Sequence, residues 1–185
     1  SLLNHFLAEM KPSMLICGAL ILMTVPGAGQ EISSEWKFEC QRKQIAPEYA
    51  IDAKNTFHGK PTLTLSGSGK EYADGHWHKL VNVEAQEYFQ FRSHFIASKV
   101  DEPERSILAR IIWQNESGEQ VGFTEYPITL PDKTNEGWSI IEQSYKVPPE
   151  ASKAKLELHY RWDADGMVRF SEVSFQKTTP PKVRM

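Results

Sequence analysis

Between Lys155 and Trp162 every second residue is apolar: Leu156, Leu158, Tyr160 and Trp162 alternate with Lys155, Glu157, His159 and Arg161. A period of two over such a stretch puts one set of side chains on each side of an extended chain, which is the mark of a strand with one buried face. The pattern recurs. Phe89, Phe91 and Phe95 oppose Gln90, Arg92 and His94, and Ile107, Ala109, Ile111 and Trp113 oppose Arg110 and Gln114. After Gln30 no segment carries a helical stripe of useful length, so the domain is predicted to be all-β.

Further strands are expected at 36–38, 62–65, 77–83, 121–125 and 138–147. Asn115-Glu116-Ser117-Gly118-Glu119 and Asp163-Ala164-Asp165-Gly166 have the Gly-containing chemistry of tight connections. From Val168 and Phe170 to Val173 and Phe175 the apolar residues change phase, and an extra residue near Ser171-Glu172 would do this as a β-bulge. Pro103 and Pro148-Pro149 mark loops, because proline cannot sit in a central strand. Roughly nine or ten short, regularly spaced strands predict an antiparallel β-sandwich with jelly-roll topology.

The chain has 185 residues, with 21 Lys+Arg against 24 Asp+Glu and a net charge of −3. That balance lacks the clustered positive excess of a polyanion binder, so no nucleic-acid partner is expected. Ahead of the domain, Met10-Lys11, the uncharged apolar run 14–25 and the small residues Pro26-Gly27-Ala28-Gly29 read as a signal peptide cleaved before Gln30. A buried N-terminal helix is the other use of such a run. The run is shorter than the ~20 residues a membrane-spanning helix needs. A secreted or periplasmic protein without a stable membrane span after cleavage is expected. Residues 1–9 precede a plausible initiator Met10. The chain thus divides into a leader at 1–29, a β-sandwich at 30–177, and a linker or start of a downstream domain at 178–185. Cleavage removes Cys17 and leaves Cys40 alone, so stability must come from packing rather than a disulfide.

The motifs of common catalysts are missing. There is no Gly-x-Ser-x-Gly or His-Glu-x-x-His, and Ser66-Gly67-Ser68-Gly69-Lys70 lacks the spacing and following helix of a phosphate loop. Glu125, Glu142, Glu157 and Glu172 all fall on strands, but a domain this small rarely builds a deep cleft. No catalytic set is predicted.

Candidate binding residues come from the polar sides of the strands. Arg92, His94, Arg110, His159 and Arg161 project away from the core, with Arg169 beside them and Glu157 as an acceptor. Planar donors suit vicinal hydroxyls or a uronate carboxylate, so such a face fits a glycan. A solvated outer face has the same pattern. In Tyr72-Ala73-Asp74-Gly75-His76-Trp77-His78, the two histidines share one side of a strand and Trp77 takes the other. His76 and Trp77 are candidates for a glycan platform; the alternative puts Trp77 in the core with the histidines as edge polar groups. A structural zinc site wants four ligands, and no second pair is visible in the sequence, so no metal is predicted there. Asp163, Asp165, Glu172, Glu35 and Glu39 are the carboxylates a structural calcium would use, but nothing has the form of a twelve-residue calcium loop. No cofactor is expected.

The segments Gly137-Trp138-Ser139-Ile140-Ile141, Tyr145-Lys146-Val147-Pro148-Pro149-Glu150-Ala151, Leu156 through Trp162, and Gly166 through Phe175 resemble the late strands of galactose-binding-like β-sandwiches of the carbohydrate-binding-module type. More narrowly, the chain is similar to the N-terminal accessory domain of secreted bacterial carbon–nitrogen (nitrilase-like) hydrolases, where a Pro-rich hinge and a strand like Lys182-Val183-Arg184 lead to the catalytic domain. No residue here matches that family's Glu-Lys-Cys catalytic set. The resemblance implies a non-catalytic module that binds a glycan or other small extracellular ligand and is joined to a downstream catalytic domain. A module that positions or oligomerises that domain without binding glycan is the alternative.

Overall fold

The computed structural model describes residues 35–181; the predicted leader at 1–29 and the strand start at 182–185 lie outside the described residues. Ten strands form: β1 (Lys37–Glu39), β2 (Glu48–Phe57), β3 (Lys60–Ser66), β4 (Asp74–Asn82), β5 (Tyr88–Ser98), β6 (Ile107–Gln114), β7 (Thr129–Lys133), β8 (Ser139–Lys146), β9 (Lys153–Arg161) and β10 (Met167–Thr178). One short α-helix, α1 (Pro103–Ser106), precedes β6, and a single 3-10 turn (Lys43–Ile45) follows β1. A four-stranded sheet has the order β1-β4-β9-β6, and a six-stranded sheet the order β2-β3-β10-β5-β8-β7. Every pairing is antiparallel. From β3 to β7 the chain crosses to the opposite sheet at each step, and it does so again from β8 to β9 and from β9 to β10. This is the predicted jelly-roll β-sandwich.

Alternation decides which side of each strand is dry. In the four-stranded sheet Trp77, Leu158 and Ala109 form one cross-strand row and Leu156 and Ile111 another. They meet Leu63, Phe91, Phe95, Val168, Phe170 and Phe175 of the six-stranded sheet in a single core. Trp113, Leu158 and Phe170 are fully enclosed, each such burial contributing roughly 1.5–3 kcal/mol.

The local devices follow the sequence in most places. The β5–β10 register shifts between Ser171 and Ser174, with Glu172 at φ 49°, so the predicted bulge is present. Asn115 and Glu119 close the β6 turn through Asn115 N–H to Glu119 C=O, with Gly118 at φ 81°. The Ser66–Lys70 glycines serve close packing: a Cβ on Gly67 would lie 2.1 Å from the Asp163 carbonyl oxygen. That contact locks the β3–β4 turn onto the 163–166 loop, whose Gly166 N–H donates to Asp163 Oδ1 at 2.7 Å.

Three expectations change. Trp162 does not continue the inward face of β9. It adopts φ 58°, donates its N–H to the Ala73 carbonyl at 2.7 Å, and is 44% exposed. The left-handed backbone ends the period of two one residue early. Segment 121–125 is not a regular strand: it meets β6 through the Ile111–Glu125 bridge and the Val121 N–H to Trp113 carbonyl bond, next to a second bridge at Gln114–Gln120, and Gly122 at φ 67° interrupts it. Strands β2 and β7 were not anticipated. The β2–β3 turn uses His58 and Gly59, both at positive φ, where Asn-Gly is the usual pair.

Candidate functional site

The predicted binding residues divide between two outer faces. On the four-stranded sheet, register aligns Lys37, His78, Glu157 and Arg110 in one row and Glu39, His76 and His159 in the next. Glu157 sits at the centre and is only 1% exposed. Its Oε2 accepts from Arg110 Nε at 2.8 Å, from Arg110 Nη2, and from His159 Nε2 at 2.8 Å. Its Oε1 lies 3.1 Å from Lys155 Nζ and 3.4 Å from His76 Nε2. Lys155 Nζ also donates to Glu39 Oε2 at 2.9 Å. The His76 and His159 rings stack at 4.4 Å and 20°.

This network sets its own protonation. Burial pushes Glu157 up, but the hydrogen bonds from His159 and Arg110, with His76 and Lys155 beside them, outweigh burial and hold the carboxyl well below the usual carboxylate range. Burial, reinforced by the neighbouring His159, lowers His76 to about 4. His159 and His78 are lowered for the same first reason. The three histidines are therefore neutral at pH 7, and the carboxylates are matched by Arg110 and Lys155. Held ionised by these partners, Glu157 is not poised as a proton donor.

The outer face of the six-stranded sheet is more open. Arg92 on β5 is exposed and only 3.4 Å from Glu142 Oε2 on β8. Glu172, turned outward by the bulge, lies 3.3 Å from His58 Nδ1, 3.5 Å from Lys60 Nζ and 3.4 Å from His94 Nδ1. Burial lowers His94, with Glu172 pulling the other way. Phe57 and Trp138 are buried outside the main core and stack on each other at 4.3 Å, with His94 5.1 Å from Phe57. Opposite one another on β3 and β10 stand Thr64 and Arg169. Thr64 Oγ1, Arg169 Nε and His94 Nδ1 are all buried without a hydrogen-bond partner among the described residues.

Arg92 and His94 thus belong to one face, and His76, Arg110 and His159 to the other. Arg161 joins neither. It lies at the end of β9, its guanidinium 4.2 Å from the Trp162 ring, with Arg105 on the same ring at 5.3 Å. Trp77 is not a ligand platform: it is 4% exposed in the core and donates its indole N–H to the Thr64 carbonyl. The core reading of Trp77 holds because its side of β4 faces the second sheet. The calcium candidates do not converge. Asp163 is committed to Gly166, Tyr160 and the Asp101 N–H, Glu172 stands on the six-stranded face, and Glu39 on the other. Sequence reasoning named Glu39 only as a calcium carboxylate and missed its place in this network, and it gave no role to Lys155 or Phe57. Their roles depend on cross-strand register and on a hairpin folding over the sheet, neither of which leaves a local signal.

No family model and no curated protein sequence matches this chain. Solved structures do. The xylan-binding domain CBM22-1 of Paenibacillus barcinonensis Xyn10C superposes with a TM-score of 0.56 at 12% identity, over 82% of this chain and 91% of that one. The fold is that of a carbohydrate-binding-module β-sandwich. The N-terminal modules of Clostridium thermocellum xylanase 10B, in a structure with xylohexaose, give 0.55 at 11% identity over 82% of this chain and 27% of theirs. The enzymatically active domain of bacteriophage CBA120 tailspike protein 4 gives 0.57 at 16% identity, and this chain spans 20% of its length.

Proposed function

We propose that this chain is a non-catalytic carbohydrate-binding module that holds a hydroxyl-rich or uronate-bearing glycan on the outer face of its six-stranded sheet. One observation carries the choice of face: Thr64 Oγ1 and Arg169 Nε lie there buried without any partner among the described residues, on the sheet that also carries the exposed Arg92. The unpartnered His76 Nε2 and His78 Nδ1 of the four-stranded face, by contrast, belong to rings already set among Glu39, Glu157 and Lys155. Buried polar groups without partners are costly, and a ligand rich in hydroxyls supplies both donors and acceptors. Arg92 and Arg169 are the planar donors for vicinal hydroxyls or a carboxylate. Trp138 and Phe57 wall the face rather than offering a free stacking platform, so recognition is polar. The xylan-binding fold neighbours support the ligand class by analogy of fold.

The module serves as an accessory of a secreted hydrolase of the nitrilase-like class. Support comes from the leader pattern at 10–30 and the Pro180-Pro181-Lys182-Val183-Arg184 hinge pattern.

A glycan array on the full chain, followed by calorimetry on the best hit, tests the reading. Binding is expected to fall in Arg92→Ala and in Arg169→Ala, and to persist in His78→Ala on the opposite face. Failure to retain any glycan, or loss caused by His78→Ala while Arg92→Ala binds normally, overturns it.

A further inference from the structure

The four-stranded face gathers a different chemistry, independent of glycan binding. Glu39, His76 and His159 occupy one cross-strand row of β1, β4 and β9, and Glu157 lies two residues from His159 on the same side. His76 Nε2 stands 3.4 Å from Glu157 Oε1 and 3.5 Å from Glu39 Oε2, and His159 Nε2 stands 2.8 Å from Glu157 Oε2. The ligand-capable atoms of His76, Glu157 and His159 all fall within 4.8 Å of one another, and no other such trio is found among the described residues. Around a tetrahedral zinc ion, donors roughly 2.0–2.2 Å from the metal lie about 3.3–3.6 Å from each other. The two His76 contacts already have that spacing.

Two more features point to a cation. His76 Nε2 is buried and has no hydrogen-bond partner. Lys155 Nζ bridges Glu39 Oε2 at 2.9 Å and Glu157 Oε1 at 3.1 Å, the same two oxygens that flank His76 Nε2. The cluster therefore already holds positive charge between its carboxylates, and it does so with a flexible side chain that reaches solvent.

We propose that this cluster binds a divalent transition-metal ion of the zinc class through His76 Nε2, His159 Nε2, Glu157 and Glu39, with the Lys155 ammonium displaced into solvent. Two neutral imidazoles and two carboxylates form a donor set of charge −2 that neutralises an ion of charge +2, and its nitrogen ligands suit zinc rather than calcium. His159 exchanges its Nε2–H hydrogen bond to Glu157 for a metal bond by moving its ring proton to Nδ1. Arg110 keeps its Nε hydrogen bond to Glu157 Oε2 and orients the carboxylate from outside the metal's own ligands.

Titration calorimetry of Zn2+ into the full chain, without a histidine tag, tests this, with Co2+ absorption as a second readout. One ion per chain binds, and Co2+ gives the visible absorption of a tetrahedral site. His76→Ala and His159→Ala each weaken binding at least ~10-fold, as loss of a ligand should, and Lys155→Met tightens it by about 10-fold. Circular dichroism checks folding; if an alanine variant does not fold, the Lys155→Met titration decides alone, and unchanged affinity there overturns the site. Absence of Zn2+ uptake by the wild-type chain at millimolar metal, or uptake that survives both histidine substitutions, also overturns it.

Discussion

The two outward faces of this sandwich rest on similar antiparallel ladders, yet they treat their charges differently. On the four-stranded sheet, Glu157 is enclosed by Arg110, Lys155, His76 and His159, and nearly all of its acceptor capacity is filled from within. On the six-stranded sheet, Glu172 reaches three cationic or imidazole partners only at 3.3–3.5 Å, and Arg92 is half exposed with Glu142 at 3.4 Å. The difference comes from where the side chains lie. Glu157 is on β9, between two strands that both project long polar groups over it, whereas Glu172 sits on a bulge that lifts it away from the ladder. A closed network stabilises the fold; an open one is free for a ligand.

The sharpest way to break this contrast is Glu157→Ala. It leaves Arg110 and Lys155 facing each other over a hole, and stability should fall by about 3 kcal/mol, at the lower end for a buried pair because both cations reach solvent. Glu172→Ala should cost less than about 1 kcal/mol. Urea unfolding followed by circular dichroism measures both, and equal losses would erase the distinction between the faces.

Acid should expose the closed face next. The unfolded chain takes up a proton on His76 near its ordinary value of 6.5, while the folded chain waits until about 4. Protons therefore favour the unfolded state in that window, and the stabilisation present above pH 6.5 is lost as pH falls toward 4. His78 and His159 act in the same direction, and Glu39 and Glu157, both lowered, extend the loss below the ordinary carboxylate range. A decrease on the order of 2 kcal/mol is expected from His76, and His76→Gln should flatten the upper part of the curve. A pH-independent melting profile between 6.5 and 4 would count against the buried network.

Smaller effects sharpen the open face. Arg92→Ala should weaken glycan binding by ~10-fold, about 1.4 kcal/mol, with stability changed by less than about 0.5 kcal/mol. Thr64→Val removes a buried hydroxyl without a partner, so stability should hold or rise by about 0.5 kcal/mol while glycan affinity falls. A clear loss of stability in Thr64→Val would mean that the hydroxyl is already satisfied inside the fold.

Much of the scaffold was legible in the chain. The alternation at Leu156, Leu158 and Tyr160 placed β9 with its correct buried side, and the phase change around Ser171-Glu172 located the bulge. Strand β2 was harder to see because it is an edge strand with most side chains exposed, so its apolar spacing is weak. Trp162 misled for a different reason: its alternation is intact, but its backbone turns left-handed through a hydrogen bond to Ala73, a residue far away in sequence.

The candidate sites divide along the same line. His76 and His78 on one side of a strand, and Glu157 and His159 on one side of another, follow from the period of two alone, because it is a property of each strand. That His76 meets His159, that Lys155 reaches Glu39, and that Arg92 and His94 stand on the opposite sheet from Arg110 were decided only by tertiary structure. Pairing order and register are set by long-range packing of the two sheets, and a local pattern records which side a residue takes without recording which neighbour it meets.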